Sequence, residues 1–154
     1  MSSKPSVARI YSGFARGTDC VISELEVSVT PGIPTFSVIG LCDSSIRESH
    51  GRIMSALRSS GFSMPKGHVT ISISPAYMKK SGSGFDLAMA VGILFASGQI
   101  PYKSDRKTYA EGELSLDGSV KGTPGAALRL NKAGREGFQY VLIPEDERNS
   151  ARCT

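Results

Sequence analysis

Lys79-Lys80-Ser81-Gly82-Ser83-Gly84-Phe85-Asp86-Leu87 decides how this chain reads: a glycine-rich loop opens an apolar helix. The helix runs from Phe85 to Ser97 and is apolar nearly all round (Leu87, Met89, Val91, Ile93, Leu94, Phe95), so it should be central and buried. A second stretch, Gly112-Glu113-Leu114-Ser115-Leu116-Asp117-Gly118, follows it and reads as a strand running into an Asp-Gly hairpin turn.

On the N-terminal side, His68 to Ser74 alternates, with Val69, Ile71 and Ile73 on one face of a strand that Pro75 ends. Earlier still, Val7 to Phe14 and Cys20 to Val29 read as a hairpin through Gly17-Thr18-Asp19, and Thr35 to Ile39 as a third strand. Ser45-Ile46-Arg47-Glu48 has the form of a capping box, opening a helix that places Ile46, Ile53, Met54 and Leu57 on one face and stops at Gly61. Towards the C-terminus, Thr108 to Leu116 supplies one or two strands. A helix follows from about Pro124 to Glu136, then a short buried strand from Gln139 to Ile143. The acids of Pro144-Glu145-Asp146-Glu147 suit a new helix start, which leads to the expectation that more protein follows Thr154. The whole is one mixed α/β domain with helices packed on a sheet.

A chain of 154 residues fits one domain and can bury roughly two-thirds of its unfolded surface. Three cysteines (Cys20, Cys42 and Cys153) without CxxC spacing, and only His50 and His68, argue against a zinc site and for reduced thiols. The N-terminus has no apolar signal core, and the longest apolar run falls far short of the ~20 residues that cross a bilayer. A cytoplasmic protein without membrane contact is expected. The net charge of +4 is unevenly spread. Residues 44–80 carry six basic side chains against Glu48 alone, a local +5 that can mark an anionic partner or a solvated helix face.

No GxxxxGK[ST] string is present, and Gly118-Ser119-Val120-Lys121-Gly122 follows a hairpin turn and lacks the Lys-Ser/Thr pair, so no nucleotide site is expected in this chain. Ser81 or Ser83 could serve as a nucleophile only beside a base, and neither histidine sits in a comparable loop. A turn capping the following helix, with Asp86 favourable to its dipole, explains the same residues.

Further strings carry a resemblance. They are Gly40-Leu41-Cys42-Asp43, Ile46-Arg47-Glu48-Ser49, Ser60-Gly61-Phe62, Ser74-Pro75-Ala76, Phe85-Asp86-Leu87, Gly98-Gln99-Ile100-Pro101, Gly112 to Gly118 and Ile143-Pro144-Glu145. In this order, over nearly the whole chain, they resemble the start of the ComM/YifB-type, Mg-chelatase-related AAA+ proteins. The resemblance implies a two-layer α+β fold like the proteolytic domain of Lon, shared with ribosomal small-subunit protein five and the C-terminal domain of the RadA recombination protein. It also places the Lon nucleophile loop on Lys80 to Asp86, the catalytic serine on Gly84 and the catalytic lysine on Ala127. Neither residue supplies a hydroxyl or an amine, so no catalytic residue is implied. Ser81 and Ser83 depart from the family, which usually has an acid and a proline in this loop, and so does Gly51.

The resemblance further implies a single non-catalytic domain over residues 1–154, with an ATPase module downstream that would bind ATP and Mg. The chain itself would hold no cofactor or metal and act on no small-molecule substrate. Its partners would be other copies in a hexameric ring and, through Arg47, Arg58, Lys79 and Lys80, DNA. Arg47 and Arg58 are eleven residues apart, three turns of one helix. A divergent peptidase using Ser81 or Ser83 with Lys79, Lys80 or Lys121, and a pure oligomerisation domain, are the alternatives.

Overall fold

The computed structural model describes residues 7–147. A long hairpin, β1 (Val7–Arg16) and β2 (Asp19–Thr30), forms the centre of the sheet. β3 (Thr35–Ile39) and β4 (His68–Ile73) extend it on one side, and β5 (Thr108–Ala110) and β8 (Tyr140–Leu142) on the other. The strand order is β3-β4-β2-β1-β5-β8. The β1/β2 and β2/β4 pairs are antiparallel; β3/β4, β1/β5 and β5/β8 are parallel. A separate two-stranded ribbon joins β6 (Glu113–Leu114) to β7 (Val120–Lys121).

Alternation in the strands builds the main core. Ala8 and Ile10 of β1, Leu25 and Val27 of β2, and Val69, Ile71 and Ile73 of β4 are buried on one face. Helix α3 (Asp86–Ser97) lies across that face, with α2 (Ser49–Ser59) packed beside it. Gly92 permits the close approach, since a Cβ there would sit 2.6 Å from Val27 Cγ2. Burial of α3 at every residue but Leu87 and Phe95, which are partly buried, follows from its all-round apolar sequence.

The two-layer expectation needs correction. Neighbouring strand residues point to opposite faces, and Tyr11 and Tyr109 join Leu130, Ala133 and Phe138 in a second cluster beneath α4 (Ala126–Arg135). Helices therefore cover both faces, α2 and α3 one and α4 the other.

Four local readings also change. The expected helix from Ser45 to Gly61 divides into α1 (Ser44–Arg47) and α2, with Glu48 between them. Asp43, not Ser45, caps it: its extended backbone lets the side chain accept from the Ile46 amide. Helix α4 begins at Ala126 because Gly125, at φ +81°, turns the chain just before it, leaving Pro124 outside. Strand β8 is exposed at all three residues instead of buried, because it forms the sheet's edge. Glu145–Glu147 forms a single 3-10 turn. Cys20 and Cys42 are free thiols, while Cys153 lies outside the described residues.

Candidate functional site

The two stretches that decide the sequence reading meet in space. The Gly112 amide donates to the Gly84 carbonyl (3.0 Å), and the Leu87 amide to the Gly112 carbonyl (3.1 Å). Asp86 fastens this junction. Its carboxylate has no exposed surface and accepts from Arg52 Nε (2.7 Å), Arg52 Nη2 (3.0 Å) and the Leu114 amide (3.1 Å). Burial pushes the Asp86 carboxyl up, and the guanidinium and amide pull it back towards the ionised form. Asp86 thus does more than favour a helix dipole: it joins α2, α3 and the β6–β7 ribbon. The hydroxyls of Ser55 and Ser59 both donate to the Leu116 carbonyl (2.9 Å each), holding the ribbon's turn against α2.

Lys80 anchors the other end of the glycine-rich loop. It is fully buried, and its Nζ donates to the carbonyls of Gly40 (2.5 Å), Pro75 (2.6 Å) and Met78 (2.7 Å). Burial lowers its pKa. The backbone adds the Asp43 amide to the Lys80 carbonyl (3.1 Å) and the Lys80 amide to the Leu41 carbonyl (3.0 Å). Asp43 Oδ2, already near the helix it caps, also accepts from the Gly82 amide (3.3 Å). The segment 40–43 and the loop 80–82 are thereby one knot.

Beside this loop lies a cleft of about 210 Å³, lined by Gly13, Phe14, Ser81 to Phe85, Thr123 and Arg129 among others. Arg129 is buried and saturated: Nε meets Glu111 Oε2 (2.7 Å), Nη1 the Pro124 carbonyl (2.8 Å) and Nη2 the Thr123 hydroxyl (2.7 Å). Glu111 also accepts from the Tyr109 hydroxyl (3.3 Å), and burial pushes both the Glu111 carboxyl and the Tyr109 phenol up. A guanidinium stays protonated and cannot act as a base. Ala127 sits on the exposed side of α4, two residues before Arg129. Lys79 and Lys121 are exposed and absent from the cleft's lining.

The DNA-contact residues fare differently. Arg47, Arg58 and Lys79 are exposed, and no ion pair engages them among the described residues. Lys80 must be withdrawn, because its ammonium is spent on three internal carbonyls. Arg52, part of the same basic count, is spent on Asp86. Arg47 and Arg58 fall in α1 and α2, on either side of the break at Glu48, so the three-turn spacing along one helix does not apply. Sequence reasoning missed the Asp86–Arg52 and Glu111–Arg129 pairs, whose partners lie 34 and 18 residues apart.

The glycine string at 118–122 does not form a phosphate cradle. The Gly118 amide donates to the Ser115 carbonyl and the Ser119 amide to Asp117 Oδ1, while Val120 and Lys121 form β7. The Gly118 and Ser119 amides are occupied and a carboxylate stands beside them, so this turn does not fit a phosphate. Among the described residues no three His, Cys, Asp or Glu side chains gather as a metal site, and no helix is long and apolar enough to cross a membrane.

Two adjacent lysines make opposite predictions. Lys80→Met removes three hydrogen bonds that a charged group donates to partly buried carbonyls, at roughly 1.5–3 kcal/mol for each. It should lower stability by more than about 2 kcal/mol in urea denaturation. Lys79→Met should shift it by less than about 0.5 kcal/mol. Equal small shifts would contradict the anchoring role.

Comparison with known proteins accords with this architecture. A Mycobacterium tuberculosis protein is 36% identical over 141 residues, covering 92% of this chain and 28% of its own length. YifB of Salmonella typhimurium is 31% identical with the same coverage. Competence protein ComM of Haemophilus influenzae is 32% identical over 149 residues, 95% of this chain and 28% of its own length. More distantly, Lon protease 2 of Bacillus subtilis is 29% identical over 82% of this chain and 25% of its own length. The chain spans little more than a quarter of the length of these relatives. Residues 25–147 match the model of the family described as subunit ChlI of Mg-chelatase, and the chain belongs to that family.

Proposed function

We propose that residues 1–154 form a non-catalytic, Lon-like N-terminal domain of a ComM/YifB-type, Mg-chelatase-like AAA+ ATPase, serving as an assembly and DNA-contacting module. ATP and Mg would belong to an ATPase module outside this chain. Copies would meet in a hexameric ring, and the similarity to the competence protein of Haemophilus influenzae suggests DNA uptake and recombination as the setting. The similarity to Lon protease 2 supports the Lon-like fold.

One observation carries the non-catalytic reading: among the described residues, no lysine lines the cleft beside the glycine-rich loop. A Ser/Lys pair needs a hydroxyl and a neighbouring amine to take its proton. Gly84 and Ala127 stand at the positions implied for them. Lys80 is fastened to three carbonyls, and the cation in the cleft is Arg129. A fluorophosphonate probe should therefore leave Ser81 and Ser83 unlabelled. Labelling that disappears in Ser81→Ala or Ser83→Ala would favour the peptidase alternative.

Exposed, unpaired Arg47, Arg58 and Lys79 support the DNA contact. Three phosphate contacts give a log–log salt slope of about −2.7 on duplex DNA, with little sequence preference. Lys79→Glu should weaken binding in an anisotropy titration and flatten the slope. An unchanged affinity and slope would remove this surface from consideration.

A further inference from the structure

The opposite edge of the sheet carries a feature that the basic segment 44–80 does not include. Helix α3 covers β1 and β2 and touches β5, while β8 at the sheet's edge stays exposed. Beside β8 is a cleft of about 240 Å³, lined by Phe95, Pro101, Tyr102, Thr108, Tyr140 and Leu142, with Lys103 and Arg106 at its rim. Tyr140 and Leu142 stand two apart on β8 and face the cleft together. One wall is fixed: Tyr102 packs against Phe95 with ring centroids 5.2 Å apart, and its hydroxyl accepts from the Arg9 amide (3.0 Å). Arg106 Nη1 donates to the Tyr140 hydroxyl (3.0 Å), which holds the guanidinium at the cleft's mouth. Tyr140 and Leu142 keep 48% and 40% of their surface exposed.

Charge decides what fits here. Residues 101–107 carry Lys103, Arg106 and Lys107 against Asp105 alone, and no acid lines the cleft. A ligand must therefore be apolar and flat in its body and negative at its margin. An unpaired nucleobase with its flanking phosphates combines these properties, and aromatic side chains beside cations are the usual means of holding one. A duplex hides its bases in the stack and offers this cleft phosphates alone.

We propose that this cleft binds single-stranded nucleic acid, seating one unpaired base against Tyr140 while Lys103 and Arg106 contact the adjoining phosphates. The site lies at the edge formed by β8, across the sheet from the edge formed by β3, and it stands or falls independently of Arg47, Arg58 and Lys79.

The test is a fluorescence anisotropy titration of residues 1–154 at low salt, with labelled oligothymidylate and with a duplex of equal length. Oligothymidylate should bind more tightly than the duplex. Tyr140→Ala should weaken oligothymidylate binding about tenfold and leave duplex binding unchanged. Lys103→Glu should weaken it as well and make the log–log salt slope shallower by about 0.7. Both substitutions are at exposed positions, and an unchanged thermal melt checks that each variant folds. Lys79→Glu should leave the preference for single strands intact. No binding of oligothymidylate, equal affinity for both probes, or oligothymidylate binding indifferent to Tyr140→Ala and Lys103→Glu would each overturn the proposal. Oligothymidylate binding that responds only to Lys79→Glu would overturn it while leaving the other surface standing.

Discussion

The carboxylate of Asp86 is the constraint on which the rest depends. A fully buried charge is tolerated only when paired and hydrogen-bonded, and this one takes two bonds from Arg52 and one from the Leu114 amide. Because its donors lie on α2 and on the β6–β7 ribbon, ionisation of a single side chain sets the relative position of three elements. Removing one member of such a pair costs about 3–5 kcal/mol, chiefly because the other is left buried alone. The ribbon has two residues per strand; Leu114 is buried in the main core with Val120 against it, and this polar junction, with the Ser55 and Ser59 bonds to Leu116, fixes its place on α2 and α3.

Two further buried cations complete the frame, and each is committed inward. Lys80 ties the segment at Gly40 to the loop from Pro75 to Met78. Arg129 joins α4 to Glu111 at the end of β5 and to Thr123 and Pro124. The glycine-rich loop is thus flanked by two ion pairs and by the Lys80 hydrogen bonds. The Gly112 amide, bonded to the Gly84 carbonyl, fixes the loop's position against the ribbon.

Much of the fold was legible in the sequence, and its failures have definite causes. The alternation of Val69, Ile71 and Ile73 and the apolar surround of α3 report burial directly, because period and face are local properties. Strand order, the second core under α4, and the exposure of Tyr140-Val141-Leu142 depend on which strand lies at the edge, which no local pattern encodes. The capping residue was misplaced because Ser45-x-x-Glu48 satisfies the motif, whereas the turn through Gly40 and Leu41 delivers Asp43 to the cap. Lys80 was the largest error at the site. Two adjacent lysines look alike in sequence, yet one meets solvent and the other three carbonyls contributed by residues 40, 75 and 78. The cleft beside β8 is not legible in the sequence because Phe95, Tyr102 and Tyr140 are distant along the chain, and only the fold brings them together beside Lys103 and Arg106.

Native-state hydrogen exchange at the Leu114 amide tests the central claim most directly. Leu114 opens only when the Asp86 junction breaks, so its exchange should be governed by the same free energy as the amides of α3, within about 1 kcal/mol of global unfolding. In Arg52→Met, protection at Leu114 and Leu87 should fall before that of Met89 and Ile93, because the ribbon is released from a helix that its own packing still holds. Leu114 exchanging at the rate of an exposed loop in the unaltered protein, while α3 stays protected, would contradict the account.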